Sequence, residues 1–201
     1  MVEVFVIDFH RKGRKNMRVI SGSARGRRLK ELQGMDTRPT TDKVKESLFN
    51  IIQFEIEGRR VLDLFGGTGQ LGIEALSRGA DHCTFVDMRK EAAALIRENL
   101  RLTGLSERSR VVQGDALSFL SSCGEKFDVI LLDPPYHTEL LEKSVERITE
   151  FDILREHGIM ICESAAEREL PALPPPYERG REYRYGKIRL TVCRRAGSDR
   201  R

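Results

Sequence analysis

Residues 61 to 72 read Val61-Leu62-Asp63-Leu64-Phe65-Gly66-Gly67-Thr68-Gly69-Gln70-Leu71-Gly72. A short apolar run breaks into glycines and resumes as a helical pattern, Leu71, Ala75 and Leu76, that stops at Gly79. This is the order strand, tight turn, helix. Inside it, Gly67 to Gly72 spell G-x-G-x-x-G, a turn whose missing side chains let the backbone approach an adenosine cofactor. The spelling alone suits NAD and S-adenosylmethionine (SAM) equally.

The same unit recurs downstream. Cys83 to Val86 form an apolar strand ending at Asp87, and Ala92, Leu95, Ile96, Asn99 and Leu100 mark a helix that closes near Gly104. Val111-Val112 lead to a strand end at Asp115, and a short helix with Leu117 and Leu120 follows. Val129 to Leu132 form a strand ending at Asp133, Leu140, Leu141, Val145 and Ile148 keep helical spacing, and Ile159 to Cys162 make another strand. Strands alternating with helices predict an α/β, Rossmann-like domain: a mostly parallel sheet with helices on both faces. After the Pro-rich loop 171–176 the rhythm changes. Segments 181–185 and 188–192 alternate in polarity around Gly186-Lys187, which predicts a C-terminal antiparallel hairpin. Upstream, Thr40, Thr41 and Asp42 offer cap chemistry for a helix with the stripe Val44, Leu48, Ile51 and Ile52.

Composition narrows the class. In 201 residues and 23.0 kDa, 39% are hydrophobic and 33% charged, and no apolar run approaches a bilayer span of about 20 residues. The opening MVEVFVIDF carries Glu3 and Asp8 and lacks a basic n-region, so no signal peptide is expected and the location expected is the cytoplasm. Cys83, Cys123, Cys162 and Cys193 form no C-x-x-C, and the four histidines show no metal spacing; no metal is expected. Charge is separated along the chain. Residues 11–45 hold twelve Lys and Arg against three acids, and residues 177–201 hold nine against three, which leaves −11 for the rest of a chain whose net charge is +4. Basic ends on an acidic body suit a polyanionic partner such as nucleic acid. In the first block the cations are interleaved with Val19, Ile20, Leu29 and Leu32, which can anchor them on a folded surface.

Ligands of an open parallel sheet bind at the carboxyl ends of its strands. Asp63 lies just before the glycines, Asp87 ends the second strand, and Asp115, followed by Ala116, ends the third. A carboxylate at 63 gains little beside an anionic pyrophosphate but suits the sulfonium and amino groups of SAM. That tips the cofactor to SAM. At the fourth strand end stands Asp133-Pro134-Pro135-Tyr136. The Asp133 carboxylate and Pro134 carbonyl can each accept one N–H of an exocyclic amine, orienting its lone pair as charge develops. Consecutive prolines stiffen the turn, and Tyr136 can stack on an extruded base.

The blocks DLFGGTG at 63–69, DPPY at 133–136, MRVISGSARGRRL at 17–29 and TRPTTDKVKESLFNI at 37–51 together resemble the RsmD family of bacterial 16S ribosomal RNA guanine-N2 methyltransferases, over about residues 17–193. The resemblance implies methylation of one guanine N2 in 16S ribosomal RNA, naked or in the small ribosomal subunit, with SAM as donor. It implies that Asp63, Gly66, Gly67 and Gly69 line the methionine end of SAM, Asp87 the ribose, and Asp115 and Ala116 the adenine. Asp133, Pro134 and Tyr136 would serve the base, and Arg18, Arg25, Arg27, Arg28, Lys30 and Arg38 the phosphates. The expected division is a leader at 1–16, an RNA-binding extension and helix at 17–58, a catalytic domain at 59–195 and a tail at 196–201. Gly67 and Gln70 stand where alanines are more usual in the family, and the leader is either an upstream start or a basic extension. DPPY is shared with adenine-N6 and cytosine-N4 methyltransferases, so these remain the rival enzymes. An RNA-binding assembly factor without turnover is the rival from another class.

Overall fold

Apolar runs four to six residues long, each followed by an amphipathic stretch, can bury themselves only by pairing side by side under helices. The computed structural model, which describes residues 17–32, 42–136 and 138–197, builds that arrangement. Strands β1 (Arg60–Asp63), β2 (His82–Asp87), β3 (Ser109–Gln113), β4 (Phe127–Leu132) and β5 (Leu154–Ala165) run parallel. Two further strands, β6 (Tyr177–Tyr185) and β7 (Ile188–Arg195), complete one seven-stranded sheet in the order β3-β2-β1-β4-β5-β7-β6. The terminal hairpin is antiparallel, as expected, and its second strand, β7, is the one that pairs with β5.

Helix α1 (Asp42–Ile51) precedes the sheet, and α2 (Gln70–Ser77), α3 (Lys90–Thr103), α4 (Ala116–Ser122) and α5 (Leu140–Glu150) join its strands. Alternation along each strand divides the core in two. Val61, Phe85, Val129, Leu131 and Ile161 face one layer with residues of α1, α2 and α3, while Leu62, Ile130, Leu132 and Met160 face the other with Leu120, Leu141 and Val145. β1 and β4 are covered on both faces, which is why their sequences are apolar without interruption. The chain turns from one side of the sheet to the other between β1 and β4, so the crevice at their carboxyl ends is the natural ligand site.

Two expectations need correction. The third strand stops at Gln113, and Asp115 lies beyond it as the N-cap of α4. A loop acid that caps a helix and one that ends a strand look alike in sequence. β5 begins at Leu154, five residues before the expected Ile159, because its first turn out of the loop, Arg155 to His157, is exposed and carries no apolar signal.

Residues 17–29 fold back on themselves and lie on α2. The amide of Val19 donates to the Arg27 carbonyl (3.0 Å) and that of Leu29 to the Met17 carbonyl (2.9 Å). Met17, Val19, Ala24 and Leu29 are buried in the same layer as α1 and the sheet. Glu74 of α2 is fully buried and accepts from the amides of Ile20 (2.8 Å) and Ser21 (3.0 Å). Buried Lys45 of α1 lies 4.0 Å from the same carboxylate and donates to the Arg18 carbonyl (2.7 Å), so one paired charge joins three elements. Gly22 touches α2 so closely that a Cβ would stand 1.8 Å from the Ser77 carbonyl oxygen. Residues 1–16, Thr40, Thr41, Arg38 and 198–201, named above for the leader, the helix cap, a phosphate contact and the tail, lie outside the described residues. Among the described residues no helix is long and apolar enough to cross a membrane.

Candidate active site

Four acids meet at the carboxyl edge of the sheet. Register pairs Asp63 with Phe85 and Leu131, and Leu132 with Cys162. Asp87, Asp63, Asp133 and Glu163 then continue the alternation of Phe85, Val61, Leu131 and Ile161, all of one layer, across the neighbouring strands β2, β1, β4 and β5. Three of them are named by the sequence. Glu163 is not.

Asp63, 2% exposed, accepts from the Gly72 amide at 2.9 Å. Burial pushes its pKa up to about 7 against the pull of that amide, with the charges of Asp133 and Asp87 adding to the rise. A carboxylate so placed favours a cation. The glycine turn is closed by Gly66 donating to the Val86 carbonyl (2.8 Å) and Gly69 to the Gly66 carbonyl (2.7 Å). Gly67 and Gly69 are left-handed, with φ of 55° and 81°, and at Gly72 a Cβ would stand 2.2 Å from the Phe85 ring, so α2 packs directly on β2.

Asp87 is tied to the same turn. It accepts from the Gly67 amide (2.9 Å) and the Arg89 amide (2.9 Å), and the Arg89 guanidinium lies against it at 3.3 Å. A ribose diol would compete with that guanidinium for the carboxylate oxygens. Asp115 accepts from the Ser118 amide and hydroxyl, both at 2.8 Å, which holds its carboxyl below the usual range. Ala116 is buried behind it.

At the end of β4, Pro134 is buried, Pro135 is exposed and Tyr136 is 36% exposed. The Tyr136 hydroxyl donates to Glu163 Oε1 at 2.7 Å. These residues line a cleft of about 250 Å³ with Leu141, Ser164 and Arg168. Its wall is stiffened by Arg168, which donates to both oxygens of Glu142 and to the Thr138 carbonyl. A larger hollow of about 330 Å³ lies between α4 and β3 and includes only Asp115 of the acids discussed. The smaller cleft holds Glu163 beside Pro134 and Tyr136, directly after Asp133 at the end of β4, which makes it the better candidate for the reaction site. Among the described residues no group of three or more His, Cys, Asp or Glu is placed to hold a metal.

The basic candidates Arg18, Arg25, Arg27, Arg28 and Lys30 are all exposed on the folded-back segment. Arg27 donates to the Leu102 carbonyl and Lys30 pairs with Glu98, so these cations also have contacts within the protein. They stand apart from the acid row, but buried Asn99 of α3 links the two regions. It accepts from the Lys30 amide (2.8 Å) and donates to the carbonyls of Lys30 (3.1 Å) and Thr68 (2.8 Å), the latter inside the glycine turn. In the sequence Asn99 reads as part of a helix face, and Glu74 and Glu163 do not stand out. For Glu163 a signal existed: an acid directly after an apolar run, the same signature as Asp87 and Asp133.

Comparison with known proteins agrees with this geometry. Residues 17–194 match the family described as Conserved hypothetical protein 95. YlbH of Bacillus subtilis (strain 168) is 42% identical over 184 residues, covering 90% of this chain and all of that protein. Ribosomal RNA small subunit methyltransferase D of Escherichia coli (strain K12) is 34% identical over 183 residues, covering 91% of this chain and 92% of that one. The solved structure of the Escherichia coli protein yhhF superposes with a TM-score of 0.81 at 32% identity, covering 90% of this chain and 98% of that chain. The chain therefore belongs to the Conserved hypothetical protein 95 family, a family of methyltransferases that includes ribosomal RNA small subunit methyltransferase D.

Proposed function

We propose that this protein transfers the methyl group of SAM to the exocyclic N2 of a guanine in 16S ribosomal RNA. The observation that carries the reading is Asp133-Pro134-Pro135-Tyr136 at the end of β4, beside the buried Asp63 and the glycine turn. The donor set fits the cofactor. A buried carboxylate at 63 favours the cationic end of SAM, the tight turn of Gly66, Gly67 and Gly69 follows it directly, and Asp87 has the acceptor oxygens that a ribose diol needs. Asp115 and Ala116 at the start of α4 would border the adenine. When bound, SAM supplies an electrophilic methyl on a sulfonium.

The chain's own residues then have positional work to do. Asp133 and the Pro134 carbonyl accept the two N–H groups of the amine, which aims its lone pair and keeps solvent off it. As the nitrogen gains its methyl it becomes more acidic, and Asp133 is placed to take the proton. Tyr136 offers a flat surface to the base. Arg18, Arg25, Arg27, Arg28, Lys30 and Arg38 would hold the RNA backbone, a role consistent with exposed cations on a segment pinned to α2. The name of the relative from Escherichia coli, ribosomal RNA small subunit methyltransferase D, supports the small-subunit substrate. Incubation with methyl-labelled SAM and either 16S RNA or small subunits from cells lacking the protein, followed by nucleoside analysis, tests the reading. N2-methylguanosine is expected. Label on adenine N6 or cytosine N4 would replace the guanine assignment, and no label in any nucleoside would favour an assembly factor.

A further inference from the structure

We propose that Glu163 is a positioning residue for methyl transfer: its carboxylate holds the Tyr136 hydroxyl and thereby fixes the ring on which the target base stacks. The proposal rests on the base-stacking role given to Tyr136 above. Three observations carry it. Glu163 is 3% exposed and accepts from the Tyr136 hydroxyl at 2.7 Å. It stands one strand across from Asp133, because Leu132 pairs with Cys162 in the preceding register position. Glu163 and Tyr136 both line the cleft that Pro134 also borders.

The direction of control follows from the scaffolding. Glu163 belongs to β5, which is paired on one side with β4 and on the other with β7, where Glu163 faces Leu190. Its backbone is fixed by a sheet. Tyr136 sits in the turn after β4, outside any strand, with more than a third of its surface exposed. A rigid acceptor at the hydroxyl end of the ring removes rotamers that would not receive a base, so less ordering remains to be done when RNA docks. Packing alone does not account for a carboxylate here. Ile161 and Leu190 surround the position in the apolar layer, and an apolar side chain would fill it without the cost of burying a polar group.

A double-mutant cycle tests this directly, using the full chain, SAM and the RNA that the wild type methylates, whichever base that is. Glu163→Ala and Tyr136→Phe should each raise the RNA KM about tenfold, and the double variant should be no worse than the weaker single, since both remove the same contact. Glu163→Gln, whose amide oxygen still accepts, should recover most of the loss. SAM affinity should stay within about twofold of wild type in all four. The cycle is also read on urea unfolding, which needs no substrate: a coupling there reports the hydrogen bond even if the guanine assignment fails. Additive losses in the cycle, or SAM affinity falling in parallel with turnover, would overturn the proposal. So would a Glu163→Gln variant no better than Glu163→Ala.

Discussion

Asp63 serves two ends that oppose each other. Its carboxyl is buried with a pKa near 7, so the ligand-free protein keeps it protonated below that pH and loses stability as the pH rises from its ordinary value of 3.8 through about 7. The sign follows from proton counting: in that window the folded state holds a proton that the unfolded state has released, so each step up in pH favours unfolding. Asp63→Asn, which keeps an acceptor for the Gly72 amide, should therefore raise the melting temperature at pH 8 relative to wild type while abolishing SAM binding. Differential scanning calorimetry and a cofactor titration read the two effects, and an Asn variant that loses both stability and affinity would contradict the account. A cation bound beside Asp63 favours its ionised form, so SAM affinity of the wild type should increase between about pH 6 and 8 with release of a proton. Titrations in buffers of different ionisation enthalpy detect that proton. At this scale the sequence is informative where an acid or a DPPY follows an apolar run. It is silent on Tyr136 being held by Glu163, because the two meet only through the pairing of β4 with β5.

The helices carry chemistry that their sequences disguise. Glu74, Lys45 and Asn99 are charged or polar residues within amphipathic segments, where such residues ordinarily face water, yet all three are fully buried. Their burial is a consequence of residues 17–32 lying over α2 and α3, which no local pattern encodes. Glu74→Ala would leave the Lys45 charge buried without its carboxylate and two amides without an acceptor. A loss of about 3–5 kcal/mol is expected in urea unfolding. Gly22→Ala acts on the same region by sterics, since its Cβ would overlap the Ser77 carbonyl and the backbone there is left-handed at φ 81°. Limited proteolysis should cut the N-terminal segment of Gly22→Ala faster while SAM affinity falls little; unchanged cleavage would mean that the segment is not held at this point. The strands are more legible than the helices. β1 and β4 declare themselves as unbroken apolar runs, but the insertion of β7 between β5 and β6 depends on pairing at long range and is invisible to periodicity.

Across the whole molecule, charge is divided between an acidic sheet edge and exposed cations on the N-terminal segment, joined through Asn99 to the glycine turn. That division predicts separable affinities. Replacing Arg25, Arg27 and Arg28 with Ala should weaken RNA binding and reduce its salt slope by about 0.7–0.9 for each phosphate no longer neutralised, with SAM affinity nearly unchanged. A filter-binding series over salt concentration shows it, and an unaltered slope would return these arginines to the role of solubilising charge. The claim on which the rest depends is that methyl transfer occurs at Asp133. The most direct measurement is a single-turnover reaction of wild type and Asp133→Ala, each saturated with SAM, with the digested RNA analysed by mass spectrometry. N2-methylguanosine is expected from the wild type, and the variant should bind SAM normally but transfer methyl at least about a hundredfold more slowly, as expected when a group that stabilises developing charge is removed. Full-rate transfer by Asp133→Ala would contradict that claim.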